Sequence, residues 1–371
     1  MPETYTDMQV DPAVVAAIEA FQLPDPLGFG VCMAPVMYRA NYSNGEWQQG
    51  CLTPYAPVAL WPGAKALQYA ASVFEGMKAY RVDQECPNLF RPEVNHQRLN
   101  ASARTHCMPE IPETLFFQAI HSVVGALHKV IPEKSGQSLY LRPFLIGTQD
   151  GLGLGRSDTY SFMVIASPCE DFHAGPMKVR IMREQSRVPF GKLGSAKAGS
   201  NYAASLGAGL QARTEGFDQV LWLDTAGRVN VEELSGMNVF FKVGDCLYTP
   251  SLTGSILAGV TRDSVIKLAK KMGVTVVASA LPIDGILRQI SAGDCSEAFA
   301  CGTAAGVSPI SAFGDGDTLC NLPDCPGDLT MALKQQLLAI QERREPDPFG
   351  WVKRVPMSYC QPVVVTKGFG S

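Results

Sequence analysis

"GSAKAGSNYAAS", residues 194–205, sets one lysine, Lys197, in a run of glycine, alanine and serine, with Asn201 and Tyr202 close behind. A solvated loop lysine needs no such clearing, because its charge points into water and its neighbours can be anything. Small neighbours also leave room for something bulky that bonds to the amine, which a nucleophilic lysine requires. The stretch alone admits both readings, and the rest of the chain decides between them.

The 371 residues exceed the roughly 250–300 usual for one hydrophobic core, so two domains are expected. Hydrophobic residues at 46% and charged residues at 18% describe a globular chain, not a disordered one. A net charge of −4 without long runs of like charge offers no track for a nucleic-acid backbone, so no nucleic-acid partner is expected. Eleven cysteines, odd in number and irregularly spaced, do not read as a disulfide framework; reduced thiols in the cytosol are expected. Cys320 and Cys325 bracket four residues, but all the histidines lie far upstream, so no metal site is expected. The start of the chain carries acidic residues and no early Arg or Lys, unlike a signal peptide or presequence. No apolar run reaches the roughly 18 residues of a membrane span, so a cytoplasmic protein without a membrane partner is expected.

Residues 55–90 alternate short apolar runs with turns and read as strand-like pieces. "ETLFFQAIHSVVGALHKVI" places Phe117, Ile120, Val124, Leu127 and Ile131 at spacings of three and four, an amphipathic helix ending before Pro132, with His121 and His128 read as surface residues. "SLYLRPFLIGT" and "YSFMVIASP" read as buried strands. The pattern breaks at Gly175 and Pro176, which places a small N-terminal α+β domain at 1–172, a linker at 173–177 and a larger C-terminal domain at 178–371. In the second domain "KVRIM" and "QVLWLD" read as strands, residues 201–213 as a helix, and "NVEELSGMNVFFKVGDCLYTP" as strand, turn, strand. "TRDSVIKLAKKMG" reads as a helix with Thr261 near its start and Gly273 beyond its end; "GDGDTLCNLPDCPGD" reads as an exposed loop.

Three further stretches bear on chemistry. "GLGLG", residues 151–155, lacks both the spacing and the downstream acid of a dinucleotide fingerprint and reads as a turn. "GSILAGVTRDS" runs through Gly259 into a helix start, where backbone N–H groups and the Thr261 hydroxyl suit a phosphate, although an ordinary capped loop has the same look. "SEAFACGTAAGVSP" holds a small-residue turn that would let a ligand touch backbone N–H groups, or is simply a tight turn. With an acid on a buried strand, Glu232 or Glu233, these are the parts of a pyridoxal phosphate site: a lysine for the Schiff base, anion sites for the phosphate, and a carboxylate to keep the ring nitrogen protonated.

In order along the chain, "LQYAASVFEGMKAYR", "LFRPEVNHQRLNASA", "SLYLRPFLIGT", "RVPFGKLGSAKAGSNYAAS", "QVLWLD", "EELSGMNVFF", "LAGVTRDSVIKLA" and "FACGTAAGVSPI" resemble the branched-chain amino acid aminotransferases, which are fold type IV pyridoxal phosphate enzymes. The likeness runs from near Phe29 to near residue 357. It implies a two-domain α+β fold of the D-amino acid aminotransferase-like type, a homodimer, and pyridoxal 5'-phosphate held between the domains. The implied activity is ping-pong transfer of the amino group from L-leucine, L-isoleucine or L-valine to 2-oxoglutarate through a Schiff base on Lys197.

By position, the resemblance makes Tyr202 the partner of the cofactor's phenolic oxygen and Glu233 the ring-nitrogen carboxylate. Glu232 falls where the family needs no acid, and adjacent residues of an extended strand face opposite ways, so only one of the two is expected to face the ring. Arg98, Val260, Thr261 and Thr303 match phosphate contacts; Arg187 matches an active-site arginine of undefined role. Tyr69, Phe74, Tyr140, Arg142, Phe172 and Ala304 match the substrate pocket, with Arg142 and Tyr140 receiving the distal carboxylate of 2-oxoglutarate. The chain departs from the family at "APVM", residues 34–37, preceded by Met33; at Phe172, where many members carry tyrosine; at Gly236, where threonine is common; and at "AGVS", where mammalian members carry a redox Cys-x-x-Cys. The first of these departures leaves open a D-amino acid or (R)-amine aminotransferase, or an aminodeoxychorismate lyase-like enzyme.

Overall fold

The structure is a computed structural model that describes residues 9–81, 86–170, 175–189 and 191–361. The chain divides into two compact units, Met1–Asp171 with Ile340–Ser371, and Phe172–Ala339. The expected division differs at the end of the chain. Trp351 is buried, packs edge-on against Phe90 at 5.5 Å and lies under the Arg91 guanidinium, and the following strand Val352–Arg354 pairs antiparallel with Asn88–Phe90. A tail anchored by a buried indole joins the unit that supplies its partners, so the first unit, not the second, is the longer. The expected linker falls partly outside the described residues, and a strand already begins at Met177.

Among the described residues the first unit carries a ten-stranded sheet whose centre pairs Val36–Ser43, Tyr160–Cys169, Ser138–Gly147 and Met77–Tyr80, all antiparallel. The helix Glu113–Ala126 lies against this sheet and buries Phe116, Ile120, Val123 and Val124, each at 0% exposure. Its apolar spacing is the reason it forms and docks there; truncating Phe116 or Ile120 to alanine would cost about 2–5 kcal/mol. His121 is not a surface residue: its ring packs on Phe117 and Tyr359, and burial pushes its pKa down to about 4. His128 is also only half-exposed, and its Nδ1 lies 2.7 Å from the Gly125 carbonyl. Between residues 55 and 90 the structure has short strands, as expected, and also the short helix Lys65–Tyr69.

The second unit is built on a nine-stranded mixed sheet, with Met177–Met182 parallel to both Gln219–Leu223 and Gly306–Asp315. The helix Ile283–Ala292 buries Ile283, Ile286 and Ile290 in the same core cluster as Leu221, Phe241 and Phe313, and stops at left-handed Gly293 (φ 83°). The helix expected over 201–213 is two helices, Gly199–Ala203 and Leu206–Thr214. Ser205 turns its N–H and its hydroxyl onto the Tyr202 carbonyl, closing the first helix in a tight turn. The stretch read as an exposed loop instead contributes a strand, Thr318–Asn321, paired with Gly306–Asp315. No helix among the described residues is long and apolar enough to cross a membrane.

Candidate active site

Lys197 sits in extended chain between the one-turn helix Leu193–Ser195 and the helix that opens at Gly199. The Asn201 side-chain amide donates to the Leu193 and Ala196 carbonyls at 2.9 and 3.0 Å, folding the segment back on itself. Lys197 Nζ then lies 2.7 Å from the Tyr202 hydroxyl. Part of the small-residue clearing has a packing cause. A Cβ on Gly194 would strike the Ser255 carbonyl, and Ala196 and Ala198 are buried. The lysine itself is half-buried.

Glu233 is buried in the strand Val231–Leu234, where one oxygen meets Arg187 Nη2 at 2.7 Å and the other accepts from the Asn238 amide at 3.0 Å. The Leu257 N–H also points at this carboxylate. Burial pushes the Glu233 pKa up to about 7, against the pull of Arg187 and, more weakly, of the Leu257 N–H and Lys197. Arg187 is buried as well and donates from Nη2 to the Gly194 carbonyl at 3.2 Å and to the Ser255 carbonyl. One guanidinium thus ties the lysine loop, the carboxylate and the 253–257 loop together.

The alternation expected for the two glutamates does not hold. Leu221 pairs with Leu234 and Leu223 with Val231, so Glu232 and Glu233 together stand opposite the single residue Trp222. Such a bulge breaks the two-residue period, and both carboxylates reach the same loop: Glu232 accepts from the Ser255 hydroxyl and Glu233 from the Leu257 N–H. Glu232 is buried too, and burial raises its pKa.

That loop leads to Gly259 and the helix Val260–Lys271, whose N-cap has no side chain to satisfy the first turn. Val260 and Thr261 are both buried at this start. A Cβ on Gly259 would collide with Asn238 Oδ1, so the helix start is pressed against the residue that holds Glu233. Thr303 and Ala304 are half-buried in the turn between the strands Cys295–Gly302 and Gly306–Asp315. A Cβ on Gly302 would lie 3.3 Å from the Gly236 carbonyl, and one on Gly236 would lie 3.9 Å from the Tyr202 ring, which brings this turn to the tyrosine side of the cluster.

In the first unit, Arg142 lies over the Phe74 ring at 4.5 Å and the Tyr140 ring at 5.5 Å, and its Nη2 is 3.3 Å from the Tyr140 hydroxyl. Arg142 Nε is buried with no hydrogen-bond partner among the described residues. Phe29 meets Tyr140 edge-on at 5.0 Å. Tyr69 stands on its own helix, 43% exposed, with its hydroxyl on the Leu152 carbonyl of the "GLGLG" turn. Arg98 grips fully buried Glu75 through Nε at 2.6 Å and Nη2 at 2.7 Å, with Asn95 bonding the same carboxylate. Phe172 lies outside the described residues. Sequence reading missed Asn238, Ser255 and Glu75; Ser255 and Glu75 bond Glu232 and Arg98 from 23 residues away, and Asn238, five residues after Glu233, bonds it across the turn that follows its strand.

Residues 72–313 match the family model described as amino-transferase class IV. The chain belongs to the class IV aminotransferases. A branched-chain-amino-acid aminotransferase of Mycolicibacterium smegmatis is 41% identical, over 93% of this chain and 96% of that protein. Among solved structures, the branched-chain amino acid aminotransferase of Escherichia coli superposes with a TM-score of 0.67 at 27% identity, covering 85% of this chain and 99% of that one. The T.th. branched-chain amino acid aminotransferase complexed with N-(5'-phosphopyridoxyl)-L-glutamate gives 0.68 at 28% identity, covering 85% and 98%. Family and fold class are therefore as the motifs implied. Pyridoxal 5'-phosphate is the family's cofactor, and the second unit's donor set fits it: an amine on a phenol, a buried carboxylate beside a cation, and a helix start whose glycine leaves no room for a capping side chain.

Proposed function

We propose that this aminotransferase moves the amino group of L-leucine, L-isoleucine or L-valine to 2-oxoglutarate, alternating between the two substrates at one site. The observation that carries the reading is the 2.7 Å contact of Lys197 Nζ with Tyr202, in a unit where buried Glu233 senses the charge of Lys197. The names and titles of the relatives support the substrate class. When bound, pyridoxal phosphate carries the amino group and withdraws electrons from the substrate α-carbon.

The chain's own residues do the rest. Lys197 Nζ would hold the cofactor and would be the base for the substrate α-proton. Tyr202 holds that amine in place and hydrogen-bonds the phenolic oxygen. Glu233, as a carboxylate beside the Arg187 guanidinium, would keep a proton on the ring nitrogen. Within the second unit Val260, Thr261 and Thr303 would hold the phosphate; Arg98 of the first unit, which grips Glu75, is assigned to it by the resemblance alone. Within the first unit Phe74, Tyr140 and Tyr69 serve the substrate side chain and Arg142 the distal carboxylate of 2-oxoglutarate; within the second, Ala304 serves the α-carboxylate; Phe172, outside the described residues, is assigned to the substrate by the resemblance alone. We further propose a cytoplasmic homodimer, divided in sequence into an N-terminal and a C-terminal domain; eleven free thiols suit a reducing compartment.

The test is the rate at which single amino acids convert the absorbance of the cofactor-loaded enzyme. L-leucine, L-isoleucine and L-valine should convert it fastest. L-phenylalanine should follow within roughly 10- to 200-fold, because an apolar pocket discriminates weakly among apolar side chains. Faster conversion by D-alanine or (R)-1-phenylethylamine would overturn the reading.

A further inference from the structure

The proposed chemistry uses one of two neighbouring buried glutamates and leaves Glu232 with nothing to do. Glu232 is 5% exposed; one oxygen accepts from the Ser255 hydroxyl, and Oε2 is buried with no hydrogen-bond partner among the described residues. A half-satisfied buried carboxyl is costly to keep, so its single bond has to matter elsewhere. The Ser255 hydroxyl also meets the Thr253 hydroxyl at 2.8 Å. Through its backbone the same loop receives Ser195 N–H on the Gly254 carbonyl at 2.8 Å and Arg187 on the Ser255 carbonyl, and gives Leu257 N–H to Glu233. Three residues after Leu257 the helix Val260–Lys271 begins.

We propose that Glu232 is a positioning residue: through the Ser255 hydroxyl it fixes the 253–257 loop, and that loop holds the Lys197 segment and the phosphate-binding helix start in the arrangement that retains the cofactor. The bulge makes this possible, because a regular strand would turn Glu232 away from the loop that Glu233 faces. The inference rests on the cofactor reading above.

The test uses the loaded enzyme and the variants Glu232→Gln, Glu232→Leu and Ser255→Ala, with three readouts: the dissociation constant of pyridoxal phosphate by equilibrium dialysis, the pH at which the bound cofactor changes its absorbance, and kcat against KM for L-leucine. Glu232→Leu and Ser255→Ala should each weaken cofactor retention by about tenfold or more and shift the absorbance transition, with KM little changed, because each deletes a buried hydrogen bond. Glu232→Gln keeps an acceptor for Ser255 and should stay within about threefold of wild type. Retention at the wild-type level in both Glu232→Leu and Ser255→Ala would overturn the proposal, as would Glu232→Gln failing as badly as Glu232→Leu, since the charge and not the bond would then be at work. If Glu232→Leu does not fold, Ser255→Ala decides alone, since it removes only one oxygen. Failure of the wild-type protein to hold the cofactor on Lys197 would instead sink the underlying reading.

Discussion

Replacing Arg187 by methionine removes the cation paired with a carboxylate that is itself almost wholly buried, together with two bonds to backbone carbonyls. Breaking a buried pair by deleting one partner costs about 3–5 kcal/mol, because the other charge is left uncompensated. Glu233 has a way to relieve this. In the wild type, burial already brings it up to about 7 from an ordinary 4.5, with Arg187 pulling it down. Without Arg187 it rises further and stays protonated at neutral pH.

The sign of the pH dependence follows. A carboxyl whose folded pKa is raised holds its extra proton in the folded state, so its contribution to stability is complete below about 4.5 and is lost as pH rises towards the folded value. In the wild type that loss ends near 7; in Arg187→Met it continues above 7, at about 1.4 kcal/mol per pH unit. The variant should therefore lie about 1–3 kcal/mol below wild type near neutral pH, the cost of the Gly194 and Ser255 carbonyls left without their donor, and fall by about another 1.4 kcal/mol one unit higher, where the wild type no longer responds. The assay is urea unfolding of the cofactor-free protein at fixed protomer concentration, read by far-ultraviolet circular dichroism and by tryptophan fluorescence, to which buried Trp222 and Trp351 contribute. Adding Glu233→Gln should restore much of the loss. A deficit independent of pH, or a coupling between the two substitutions below about 0.5 kcal/mol, would refute the account.

Borohydride reduction of the loaded enzyme followed by peptide mapping should place the pyridoxyl group on Lys197 and none on exposed Lys192, and Lys197→Ala should lower turnover by several orders of magnitude. Gly259→Ala should destabilise the second unit by about 1–3 kcal/mol and loosen cofactor binding, since its Cβ must displace the Asn238 side chain from Glu233; unchanged melting and unchanged cofactor affinity would contradict the packing described. Glu233→Gln should slow the proton-transfer step, read as a deuterium isotope effect with α-deuterated leucine, far more than Glu232→Gln does; equal effects would mean that both acids face the ring.

Much of the site was legible because its parts are local in sequence. The Lys197 and Tyr202 pair is five residues apart, and the helix start at Gly259, Val260 and Thr261 is a contiguous run, so their composition announces them. Long amphipathic or alternating segments, such as Glu113–Ala126 and Ser138–Gly147, were legible for the same reason: one turn or one pleat repeats along the chain and its apolar pattern repeats with it. Short irregular pieces were not. The break at Ser205 depends on one side chain choosing a carbonyl, and Thr318–Asn321 becomes a strand only because an edge of Gly306–Asp315 is there to receive it.

The family and its cofactor could both be read from the linear chain, since they depend on which functional groups it carries and in what order. Which of those groups meet was settled by folding. Packing put Arg187 between Gly194, Ser255 and Glu233, turned Glu232 onto the same loop as its neighbour through a bulge, and returned the chain's end to the first unit through Trp351. Apart from Arg187 with Gly194, seven residues on, each of these is a contact between residues far apart in the chain or a shift of register by one residue, and a linear pattern carries no record of either.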